Sequence, residues 1–64
     1  MMNRKEAIEF ATGSAREALD QRDAYSNAYA SYRENVIDTF TDEKVGCLDG
    51  LDAYDAECKR IGLI

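Results

Sequence analysis

Carboxylates dominate the reactive side chains of this 64-residue chain: 13 Asp and Glu, with four tyrosines, two cysteines and no histidine. Without an imidazole, Ser14, Ser26 and Ser31 have no base to activate them, and neither do Cys47 and Cys58. A pair such as Glu6 and Glu9 has the right groups for acid–base work, but such work needs a concave pocket. Nothing in so short a chain suggests one, and its four glycines form no phosphate-cradling loop. The expectation is a protein that is not an enzyme and takes no cofactor.

Metal binding fares no better. Asp49, Asp52 and Asp55 are spaced by three, whereas a calcium loop needs ligands at alternate positions, a glycine and a closing Glu. Two cysteines without a histidine do not complete a zinc site. Cys47 and Cys58 lie eleven residues apart on one helical face, about 16 Å at 1.5 Å per residue, far beyond disulfide reach. They read as small buried hydrophobes. A bridge between two copies across a two-fold axis is the alternative, disfavoured in a reducing compartment.

What remains is binding. Tyr25, Tyr29 and Tyr32 form a row at helical spacing, and tyrosine joins a large rigid body to a polar tip. The row fits a core or a homodimer seam first and a hetero-partner surface second. Bases stack on such rows where a basic groove accompanies them, but the net charge here is -5. Direct attraction to nucleic acid or to an anionic membrane is therefore not expected. Arg22 interrupts the same stripe, either setting register or snorkelling from its edge. Asp42, Asp49 and Asp52 fall opposite the apolar stripe of the last helical segment, with Asp55 at its margin. Glu9, Asp20, Asp23, Glu34 and Asp38 lie off the seam of the first. These acids read as a solvated face or, more sharply, as phosphate mimics aimed at the basic cleft of a nucleic-acid-binding protein.

The elements that position these groups follow from one periodicity. Ile8, Ala11, Ala15, Ala18, Arg22, Tyr25, Tyr29, Tyr32 and Val36 alternate gaps of four and three, and so do Cys47, Leu51, Tyr54, Cys58 and Ile61. Such a stripe stays on one side of a helix and asks for another helix to cover it. Proline is absent and no alternating strand pattern occurs, so the chain reads as one all-α domain over 1–64. Asn3 with Glu6 caps a long first helix over about 4–38. Thr12-Gly13-Ser14 is a possible break, with Ser14 and Glu17 as a second capping box, though one glycine costs a helix only about 1 kcal/mol. A last helix is expected over about 42–61, led by Asp42 and Glu43 and closed by Lys59, Arg60 and Gly62. Gly46 and Gly50 weaken its early turns and leave room for a neighbouring backbone to approach.

This predicts a helical hairpin or a small three-helix arrangement. A helix over 4–38 would span about 50 Å and its partner about 30 Å, so a simple hairpin leaves the Ala-rich end bare. Either the chain folds back at Gly13 or a second copy covers it. A domain this small buries only about 60% of its unfolded surface, which favours a homodimer. Met1 to Phe10 carries Arg4, Lys5, Glu6 and Glu9 and does not resemble a leader, and no run approaches the roughly 20 apolar residues of a membrane span. A cytoplasmic location with free thiols is the expectation. Functionally, the chain reads as an acidic protein–protein interaction module, a regulator or inhibitor that occludes a host protein, of the kind phages and mobile elements specify. Arg22, Tyr25, Tyr29 and Tyr32 are its candidate contacts. The alternative is the nucleic-acid mimic carried by Asp42, Asp49 and Asp52.

Overall fold

Asn3 opens the first helix as its sequence requires. Its side chain accepts from the Glu6 amide at 2.9 Å while Glu6 Oε1 accepts from the Asn3 amide at 3.4 Å, closing a capping box. The computed structural model describes residues 2–24, 26–45 and 47–64, with Cys47 described in its backbone only. Over these residues the protein is all-helical: α1 is Arg4–Gln21, α2 is Ala28–Asp42 and α3 is Cys47–Arg60, each packed against the other two.

α1 buries Ala7, Ala11, Ser14, Ala15 and Ala18. Small side chains at four-three spacing let two neighbouring helices come close along one line, and α1 serves both α2 and α3 this way. Gly13 does not break it. Gly13 points outward, with nothing within 4 Å of the place a Cβ would take, so the packed stripe on the opposite side carries the helix through.

The expected continuous helix over 4–38 breaks elsewhere, at residues 22–27. The molecule measures 32 Å along its longest axis, too short for the roughly 50 Å of an unbroken helix. The reversal is made of turns, with Arg22 N–H donating to Leu19 O at 3.3 Å and Ala24 N–H to Gln21 O at 3.0 Å. Asp23, Ser26 and Asn27 suit such turns because their side chains compete for backbone groups. The deciding term is tertiary: folding back lets α2 and α3 cover Ala7, Ala11, Ala15 and Ala18, each at most 2% exposed. The bare Ala-rich end that called for a second copy is thus covered within one chain.

Asp42 ends α2 rather than starting α3. The chain leaves α2 through Lys44 in the left-handed region (φ 57°), with Val45 N–H reaching back to Phe40 O at 3.1 Å and Lys44 N–H to Thr41 O at 3.3 Å. This is a Schellman closure. α3 ends in the same way at Gly62 (φ 84°), where Leu63 N–H donates to Cys58 O at 2.8 Å. In both, the residue past the turn (Val45, Leu63) packs onto the core.

That core joins Ala7, Ala11 and Ala15 of α1 to Val36 and Phe40 of α2 and Tyr54 and Cys58 of α3. The Phe10 and Phe40 rings meet edge to face, 5.9 Å between centroids. Gly50 makes room for Phe40: a Cβ there would stand 1.7 Å from its ring. A ring rather than a backbone therefore fills the space expected at Gly50, while Gly46 lies outside the described residues.

Candidate functional site

Within the tyrosine row, Tyr29 and Tyr32 pack against the core. Tyr29 is half-buried and stacks on Tyr54 of α3, ring centroids 5.7 Å apart at 27°. Its hydroxyl donates to Asp55 Oδ1 at 2.7 Å, and the Tyr54 hydroxyl donates to the Tyr29 carbonyl at 2.7 Å. Tyr32 is half-buried against the core, and Tyr25 lies outside the described residues. Arg22 caps the C-terminal end of α1 as an exposed residue of the reversal. Of the four candidate contacts, then, Tyr29 and Tyr32 are turned into the fold, and Arg22 sits beyond the stripe it was expected to interrupt.

Asp55 is the hub of this seam. Arg33 Nε approaches both its oxygens, at 3.3 and 3.4 Å, so one carboxylate gathers a hydroxyl and a guanidinium across α2 and α3. The hydrogen bond to Asp55 raises the Tyr29 pKa, and burial helps. Burial also raises the Tyr54 hydroxyl and the Cys58 thiol above their ordinary ranges. All three groups stay protonated at neutral pH, a property of structural groups and not of activated nucleophiles.

A second charged cluster links α1 to α3. Glu57, only 8% exposed, accepts from Arg60 Nε at 2.6 Å and from Arg16 Nε at 3.0 Å. The Arg60 and Arg16 hydrogen bonds hold its carboxyl down at about 2, against the opposing pull of burial. Sequence reasoning passed over Glu57 because it looks like one more surface acid. Its only signal was Arg60 three residues on, with Arg16 arriving from another helix.

The acidic candidates are dispersed. Asp42 closes α2, while Asp49 and Asp52 lie on α3, and all three are exposed. Asp49 meets Arg4 Nε at 3.0 Å, which cancels part of the charge a phosphate mimic would present. Among the described residues no group of three or more His, Cys, Asp or Glu is placed to hold a metal ion, and no helix is long and apolar enough to cross a membrane.

What the outside of the fold does offer is a shallow groove along α2. It runs between two rows of side chains, Tyr29–Arg33–Ile37 and Ala30–Glu34–Asp38. Rows spaced by four residues are the ridges that helices interlock when they pack. A smaller depression on α1, lined by Glu9, Phe10, Gly13, Ser14 and Glu17, is flanked by acids on both sides. Comparison with protein-family models, with curated proteins and with solved structures finds no match to this chain.

Proposed function

We propose that this chain is a small acidic protein-interaction module whose contact surface is the outer side of α2. The observation that carries the reading is the groove between the Tyr29–Arg33–Ile37 and Ala30–Glu34–Asp38 rows. It presents apolar bodies and both signs of charge on a helix whose other side is anchored in the core through Val36 and Phe40. Such a face suits recognition of another protein: rigid, held from behind, and mixed enough in polarity to choose its partner. Tyr29, Tyr54, Cys58 and Glu57 are engaged within the fold, which leaves the α2 groove as the feature this reading rests on. The module would act by covering a partner's surface, as a regulator or inhibitor does, in a reducing cytoplasm where Cys58 remains a thiol.

Relative to the sequence-based expectation, the contact residues move. Tyr29 contributes one edge of the groove, while Tyr32 supports the core. Affinity capture from the source cell with the wild-type chain and with Ile37→Asp tests the assignment. Proteins retained by the wild type and lost with Ile37→Asp are the expected outcome. Equal retention by both would move the contact surface off α2.

A further inference from the structure

The α2 groove carries charges that answer one another when the helix meets its own copy. One ridge bears a single cation, Arg33, and the other bears two acids, Glu34 and Asp38. Glu34 and Asp38 are exposed, stand four residues apart on one ridge, and form no ion pair among the described residues. Like charges at that spacing repel each other along a helix, so a cation from outside would be welcome there. Arg33 spends its Nε on Asp55, and a guanidinium has further N–H donors that can reach outward. Resting on the reading of α2 as the contact surface, we infer that its occupant is a second copy of this chain. Two α2 helices cross in the same general direction about a two-fold axis that runs along the groove, with the Tyr29–Arg33–Ile37 ridge of each facing the Ala30–Glu34–Asp38 ridge of the other.

Three observations favour this occupant. A two-fold contact needs a self-complementary patch, and a patch with one cationic and one anionic ridge is self-complementary when rotated onto itself about an axis lying between the two ridges. The α1 depression fails the same requirement, because Glu9 and Glu17 flank it on both sides and two copies would set acid against acid. The geometry is also that of interlocking four-residue ridges, for which helices cross at about 50°. A single helix pair covers less than the roughly 800 Å² per partner of a standard interface, so the dimer is weak and its population concentration-dependent.

Charge exchange tests the pairing directly. Sedimentation of the wild type over a concentration series should show the mass rising from one chain towards two. Arg33→Glu alone places acids on both ridges, and the double variant Glu34→Arg/Asp38→Arg places cations on both. Each should weaken self-association at least tenfold while circular dichroism reports unchanged helix. Mixed one to one, the two variants restore both complementary contacts, and the mixture should sediment as a heterodimer close to wild-type strength. Variants that stay separate when mixed, or that dimerise as well as the wild type when alone, overturn the pairing. A wild type that remains monomeric throughout also overturns it. If Ile37→Asp still abolishes capture of a cellular protein in that case, the α2 surface survives with a different occupant.

Discussion

α3 packs against two unlike neighbours. Towards α1 it meets a line of alanines, Ala7, Ala11 and Ala15, with charged clasps at the rim where Arg16 and Arg4 reach Glu57 and Asp49. Towards α2 it meets rings: Tyr54 stacks on Tyr29, and Phe40 fills the space over Gly50. The first seam works by closeness, because small side chains let the helices approach. The second works by volume, because large side chains fill what the backbone leaves. Both exclude water from the same core, yet they should fail in opposite ways.

Truncation should hurt the α2 side most. Phe40 is fully buried, and Phe40→Ala removes a ring from the centre, at a cost of about 3–5 kcal/mol. A domain of this size has a total stability of only a few to ten kcal/mol, so thermal melting of this variant should show partial or complete loss of the cooperative transition. Enlargement should hurt the α1 side. Ala15→Leu forces extra carbons into a seam with no exposed surface, costing about 1–3 kcal/mol. At roughly 4–8 °C per kcal/mol for a small domain, its Tm should fall visibly. If Ala15→Leu were neutral, α1 would not be held as closely as its alanines imply.

Two glycines sharpen the contrast under a single substitution. Gly50→Ala should destabilise, because the new methyl collides with the buried Phe40 ring and overpacking outweighs the gain of about 1 kcal/mol in helix propensity. Gly13→Ala should stabilise by roughly 0.5–1 kcal/mol, since nothing stands within 4 Å of its Cβ position. Chemical denaturation of the pair should give shifts of opposite sign.

The charged rim of the α1 seam gives the smallest and most condition-dependent effect. The carboxyl of Glu57 is held at about 2, below its usual value near 4.5. In acid the unfolded chain takes up this proton first, so the contribution is complete above about pH 5 and fades as pH falls towards 2. The stability of the wild type should therefore drop more steeply across that window than that of Glu57→Gln, compared by urea titration at several pH values. Parallel curves would mean that Arg16 and Arg60 do not hold Glu57 as the structure places them.

Much of this was readable from residue order. Ala11, Ala15 and Ala18 announce a close seam, Asn3 with Glu6 announces a helix start, and Gly62 announces a stop. The reversal at 22–27 was hidden because the four-three series passes through it without losing phase, from Ala18 to Arg22 to Tyr25 to Tyr29. A local pattern then agrees equally with one long helix and with two short ones, and only burial of the alanine stripe separates them. Gly13 misled in the other direction, being a breaker by type on a side where nothing needed breaking. Lys44 gave no sign of a left-handed closure, since glycine or asparagine is the usual occupant. Tyr29 and Tyr32 pack against the core, but the partners that hold Tyr29 there were not legible. Which way Tyr29 turns depends on Asp55 and Tyr54, more than twenty residues away.

The return of α2 onto α1 within one chain underlies both seams, and a ring contact reports it most directly. In a sample where a small fraction of labelled chains is diluted into unlabelled ones, nuclear Overhauser contacts should join the ring protons of Phe10 and Phe40, whose centroids lie 5.9 Å apart. An unbroken helix would hold these residues about 45 Å apart at 1.5 Å per residue. Contacts that vanish on dilution, or that link only differently labelled chains, would contradict the folded-back chain.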